Sequence, residues 1–133
     1  MNSARHSLCF PKAEHLCSRK LIERLYAEGQ RVRVFPYSVH WLLVDELPVP
    51  CQVMIVAPKR KFHHAVDRNR VRRLTRECYR LSKAPLLDTL ARQGKHLIFS
   101  LVYEHNELPT FESLAQRMDK VVGTLMGHIA DPE

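Results

Sequence analysis

Acidic side chains are scarce where this sequence is most basic. Residues 59–80 carry nine bases, Lys59, Arg60, Lys61, Arg68, Arg70, Arg72, Arg73, Arg76 and Arg80, against two acids, Asp67 and Glu77. A metal-dependent phosphodiesterase needs several convergent carboxylates to hold its ions, so this segment does not read as a protein-borne hydrolytic centre. His63 and His64 do not repair the deficit, because adjacent loop histidines diverge and no third ligand stands at a matching spacing. We therefore assign neither catalytic nor metal-ligating residues. Cysteine is also sparse: Cys9, Cys17, Cys51 and Cys78 are irregularly spaced without a CxxC pair, which excludes a zinc ribbon or disulfide framework and leaves free thiols as the expectation. No apolar run reaches the roughly 20 residues of a membrane helix, and no secretory signal pattern is visible. A cytoplasmic protein with no membrane partner is expected. Internal repeats and low-complexity tracts are absent as well.

What is present fits one domain. A chain of 133 residues with 45% hydrophobic content can bury roughly two-thirds of its unfolded surface. Residues 1–17 are polar and irregular and read as a partly ordered arm, followed by a single domain over 18–133. Ser18 can cap a helix over about 19–28, with Leu21, Ile22, Leu25 and Tyr26 on one face and Gly29 as its stop. A brief strand is expected over 31–34, interrupted or pushed to an edge by Pro36. In 37–44, Tyr37, Val39, Trp41 and Leu43 alternate with Ser38, His40 and Leu42, the pattern of a strand. Residues 51–57 form a nearly continuous apolar strand that Pro58 ends.

The basic loop 59–64 then leads into a helix running to about Ser82, with Asp67 as its expected N-cap. A further short helix or helical turn over 83–93, a strand over 96–103 and a last helix from Thr110 complete the chain. Leu114, Met118, Val121, Val122, Leu125 and Met126 recur at helical spacing in that last helix and read as core. The order α-β-β-β-α-β-α predicts an α+β fold with helices packed on a four-stranded sheet.

The middle helix joins two functions. Projected at about 100° per residue, Val71, Leu74, Cys78 and Leu81 fall in the arc that must face the sheet. Arg68, Asn69, Arg72, Arg73, Arg76 and Arg80 fill the opposite side. Arg68, Arg72, Arg76 and Arg80 stand four apart, and like charges at that spacing cost about a few tenths of a kcal/mol per pair. A helix does not adopt that arrangement for its own stability. All six helical bases are arginine, whose planar fork grips phosphate with two parallel hydrogen bonds and stacks on bases. Asn69 adds a donor and an acceptor suited to a base edge or a sugar hydroxyl. Arg70 projects near the edge of the apolar arc beside Glu77, so it either anchors the helix to its own domain or reaches a second RNA surface. The formal net charge of +7 is wholly accounted for by residues 59–80, and the rest of the chain is electroneutral. A concentrated patch on a neutral body is an electrostatic footprint for a polyanion. A DNA-reading helix-turn-helix would place a Gly-containing turn and a crossing helix before the recognition helix, whereas a strand and a basic loop precede this one, so RNA is favoured.

The ordered set Val56-Ala57-Pro58-Lys59-Arg60-Lys61-Phe62, Ala65-Val66, Arg68-Asn69-Arg70, Arg72-Arg73-Leu74 and Arg76 resembles the signature of bacterial ribonuclease P protein subunits. The resemblance reaches back to Tyr26-Ala27-Glu28-Gly29 and forward through the strand 96–103. It implies a left-handed βαβ crossover around the basic helix, against the usual right-handed rule. It also implies a partnership with a catalytic RNA subunit, which hydrolyses precursor tRNA using Mg²⁺ bound mainly by the RNA, while the protein binds the 5′ leader. No obligatory protein partner is implied. By the same resemblance, Arg68, Asn69, Arg70, Arg72, Arg73 and Arg76 match the signature helix, and Lys59, Arg60 and Lys61 the basic loop. The leader cleft lies between the first helix, the sheet and the signature helix, with Tyr26 at one of its aromatic positions. Ile22 and His40 stand where further aromatics are frequent. A stacked base is worth about 1 to 3 kcal/mol, so leader affinity here leans more on charge. His40 can still stack, and its titration near pH 6 to 7 would add charge to the cleft. The other reading is a structural or regulatory RNA-binding protein of ribosomal type, without a role in cleavage.

Overall fold

The computed structural model describes residues 10–130. Helix α1, Arg19–Glu28, begins where the Ser18 hydroxyl accepts a hydrogen bond from the Leu21 N–H at 3.3 Å, satisfying one of the free amides of the first turn. It stops at Gly29, where space decides: a Cβ there would lie 2.4 Å from the Leu25 carbonyl oxygen and 2.8 Å from that of Trp41. The chain then enters strand β1, Gln30–Val34, turns at Phe35 and Pro36, and returns as β2, Tyr37–Val44. Pro36 sits in the turn, where it has no ladder bond to donate, and β1 before it lies at the edge of the sheet, the second of the two expected outcomes.

Strand β3, Cys51–Val56, and strand β4, His96–Tyr103, complete a sheet of order β1-β2-β4-β3. β1, β2 and β4 run antiparallel in sequence, whereas β3 pairs parallel with β4. A parallel neighbour needs a long crossover, supplied by α2, Ala65–Ser82, and α3, Ala84–Gln93. The short helix expected over 83–93 is therefore α3, closed by Gly94 in the left-handed region at φ 64°. The last helix, α4, spans Phe111–Ala130, and Thr110 precedes it with its hydroxyl accepting from the Ser113 N–H at 3.2 Å.

Strand alternation divides the core in two. Val39, Trp41, Val53, Phe99 and Leu101 point to one face, where Val71, Cys78, Leu86, Leu90, Met118 and Val121 from α2, α3 and α4 cover them. Val44 and Ile98 point to the other face, where Leu25 of α1 and Leu16 meet them, with Leu21, Ile22, Leu42 and Met54 half-buried around this smaller cluster.

Three expectations change. Helix α2 starts at Ala65 with His64 as its boundary residue, so Asp67 is not the N-cap; it lies in the first turn, where its carboxylate still complements the positive end of the helix dipole. Leu81 is half exposed rather than core, and Leu74 is only partly buried. The buried stripe of α2 is Val71, Thr75, Cys78 and Tyr79, rotated from the projected arc because Thr75 is satisfied by the Tyr37 hydroxyl at 2.8 Å and Tyr79 fills the space beside Phe99.

Of the expected arm over 1–17, residues 1–9 lie outside the described residues. From Phe10 onward the segment lies against β3: the Leu16 N–H donates to the Val53 carbonyl at 2.9 Å, and Gln52 Nε2 donates to the Ala13 carbonyl at 2.9 Å. Glu14 is buried and pairs with Lys83, at the junction of α2 and α3, at 2.5 Å. Lys83 has no solvent exposure, so this pair ties residues 69 positions apart in the chain. Among the described residues no helix is long and apolar enough to cross a membrane.

Candidate nucleic-acid interface

The basic loop is held at both ends. The Lys61 and Phe62 N–H groups donate to the Pro58 carbonyl at 3.1 and 3.3 Å, and the buried Phe62 ring packs 6.0 Å from that of Tyr103. Arg68 secures the loop from the helix side, its Nη1 donating to the Phe62 and His63 carbonyls, both at 2.9 Å. Arg60 pairs with Glu104 at 2.7 Å. Two of the expected RNA-binding cations thus also shape their own surface.

On α2 the row of arginines spaced four apart separates into different roles. Arg68 binds the loop, Arg72 donates to the Asn69 side-chain oxygen, and Arg80 pairs with Glu77. The hydrogen bond from Arg80 holds the Glu77 carboxyl below its usual range. The Arg80–Glu77 ion pair offsets part of the repulsion that the spacing implies. Arg76, the remaining member of the row, is exposed. Arg70 and Arg73 are exposed too, so Arg70 does not anchor the helix to its domain. The side chains of Lys59, Lys61, Arg70, Arg73 and Arg76 make no hydrogen bond or ion pair with another described residue. The thiols behind them are inert at neutral pH: burial pushes Cys78 up to about 11 and Cys51 up to about 12.

The three expected cleft residues come from α1 and β2. Tyr26 donates to the Ser100 hydroxyl at 3.1 Å, and its ring lies 4.7 Å from the His40 ring, tilted by 55°. Tyr26 keeps 45% of its surface exposed, an accessible aromatic above the sheet. Ile22 is partly spent on packing against the smaller core. His40 Nδ1 has no hydrogen-bond partner among the described residues. Burial, aided by the Arg31 charge, lowers the His40 pKa below its ordinary value. His40 is therefore neutral at pH 7 and adds no charge to this face.

Helix α1 and the buried stripe of α2 lie on opposite sheet faces, and the segment before α1 passes along the outer edge of β3. There Leu16, Cys17, Met54, Ile55 and Arg76 line one continuous groove. Phe10 and His15 share this groove with Arg76, Glu77 and Arg80, and sequence reasoning did not single them out. The local signal was the close spacing of two rings, Phe10 and His15, in the arm. Among the described residues no three His, Cys, Asp or Glu side chains converge as metal ligands. The guanidiniums on this surface disfavour a divalent cation, and among the described residues no side-chain cluster is fitted to hold Mg²⁺.

A four-stranded mixed sheet, helices on both faces, and uncommitted cations displayed from one crossover helix and its preceding loop define a small α+β protein built to present a cationic surface. The family model described as Ribonuclease P matches residues 10–126. The ribonuclease P protein component of Porphyromonas gingivalis is 34% identical over 119 residues, covering 89% of this chain and 87% of that protein. That of Chlorobaculum tepidum is 32% identical over 138 residues, covering 96% and 90%. A solved structure of the Staphylococcus aureus RNase P protein superposes with a TM-score of 0.66 at 20% identity, covering 86% of this chain and 96% of that one, a likeness of fold. The chain belongs to the ribonuclease P protein family.

Proposed function

We propose that this chain is the protein subunit of a ribonuclease P holoenzyme, an endoribonuclease that removes the 5′ leader of precursor tRNA. It binds the catalytic RNA through the signature helix and basic loop, and the leader along α1 and the sheet. The observation that carries this reading is the set of cations without intramolecular partners, Lys59, Lys61, Arg70, Arg73 and Arg76, on a member of this family. Arg60, Arg68, Arg72 and Arg80 flank them and, with Asn69, complete the contact surface. Their guanidiniums also orient the loop and helix before RNA arrives, which lowers the ordering cost of binding. Phosphodiester hydrolysis resides in the RNA, and Mg²⁺ is bound there. The protein supplies positioning and neutralises backbone charge that would otherwise repel the leader.

Reconstitution tests this directly. The chain, mixed with catalytic RNA and precursor tRNA at low Mg²⁺, is expected to stimulate leader removal; no stimulation would return the case to an RNA-binding protein without a role in cleavage. Five neutralised phosphates predict that log affinity for single-stranded leader RNA falls with a slope of about 3 to 4 against log salt. A flat response would remove the electrostatic basis of the proposal.

A further inference from the structure

Strand β3 is the last strand of the sheet, and its outer edge is covered only in part. His15 bridges to Val53, and beyond that point Met54 and Ile55 have no strand neighbour on the outer side among the described residues. The groove running over this edge is walled by Phe10 and His15 on one side and by Arg76 and Arg80 on the other. The Phe10 and His15 rings lie 4.3 Å apart and are tilted by 35°. Phe10 is fixed from behind by the edge of Tyr79 at 5.4 Å and by the Lys83 ammonium 5.6 Å from its centroid. Glu14 holds that ammonium in place. The ring pair is thus braced by a buried ion pair rather than left on a loose arm. Across the groove Arg76 is exposed and has no side-chain partner among the described residues, while the Glu77 carboxylate is engaged by Arg80.

We infer that this groove is a nucleotide subsite, in which an unstacked base of single-stranded RNA stacks on the Phe10–His15 pair while its phosphate is gripped by Arg76. The inference rests on the RNA-binding reading above and extends the contact surface to the N-terminal segment. Every base has a π-face, so the site tolerates any sequence. A guanidinium placed beside an aromatic pair matches a phosphate linked to a stacked base. A peptide strand added to the β3 edge is the competing occupant, but it would use backbone hydrogen bonds and have no need of Arg76 or of an aromatic at 15.

The test uses the full chain and a short single-stranded RNA carrying 2-aminopurine, whose fluorescence is quenched on stacking. Binding is expected to quench it. His15→Ala should abolish the quench and weaken binding about tenfold, and His15→Tyr should restore both. His15→Ala and Arg76→Ala should combine to less than the sum of their separate effects, because they act on the same nucleotide. If His15→Ala binds RNA like the unaltered chain while Arg73→Ala still weakens binding, the subsite is refuted and RNA binding stands. If the unaltered chain shows no salt-dependent RNA binding, both fall. Should His15→Ala not fold, crosslinking of 4-thiouridine RNA to the unaltered chain decides: adducts at Phe10 or His15 are expected, and adducts confined to Tyr26 and α2 would overturn the subsite.

Discussion

The two faces of the sheet are covered unequally. Three helices seal one face, and residues such as Phe99 and Leu101 are fully buried there. On the other face a single ten-residue helix, α1, meets a cluster of four buried residues, and Tyr26, His40 and Ile22 remain partly open beside it. The sealed face stabilises the domain, and that stability lets the thinly covered face keep polar and aromatic groups accessible. The cationic helix belongs to both functions, because its inner stripe is part of the sealed core while its outer side carries the free arginines.

The contrast can be tested by substitution. Leu101→Ala should cost about 4 kcal/mol in a denaturant titration, since a cavity enclosed by three helices cannot collapse. Glu14→Ala should cost about 3 kcal/mol by leaving the buried Lys83 ammonium without its carboxylate; an unchanged midpoint would show that the arm is not coupled to the core. Leu25→Ala, the same truncation as at Leu101 but on the thin face, should cost about 2 kcal/mol, because surrounding half-buried side chains can relax into the space. Equal costs for the two leucines would break the contrast. Combined Arg70→Ala and Arg73→Ala should move stability by less than about 0.5 kcal/mol while reducing the salt slope of RNA binding by about 1.4. The smallest effect concerns pH. The folded-state pKa of His40 is lowered, so as pH falls through the ordinary histidine range the unfolded chain takes up this proton first and stability declines. Melting curves from about pH 7 to pH 5 should therefore show a smaller loss for His40→Gln than for the unaltered chain.

Local chemistry made much of this fold readable. Ser18 and Gly29 delimited α1, the period-two alternation of 37–44 assigned each side chain of β2 to its face, and the apolar recurrence of 114–126 identified the core side of α4. The basic helix and loop were legible because charge imbalance is a property of composition alone. The failures have a common cause, which is partners distant in sequence. Projection ranked Leu81 above Thr75 because it weighed hydrophobicity, but Thr75 is buried through a hydroxyl supplied by Tyr37. Asp67 and His64 compete for the same helix start, and a carboxylate is favourable both as a cap and within the first turn. The commitment of Arg68 to two loop carbonyls and the pairing of Glu14 with Lys83 depend on tertiary placement that no window of sequence contains.

Gly29 gives the thin face a gauge. The two carbonyl oxygens that would collide with a side chain there belong to α1 and to β2, so the missing methyl sets how near the helix can approach the strand beneath it. Alanine at that position would act as a shim, lifting the end of α1 that carries Tyr26 and widening its separation from His40 without altering any residue that faces solvent. The spacing of these two rings is thus adjustable from a position that carries neither of them.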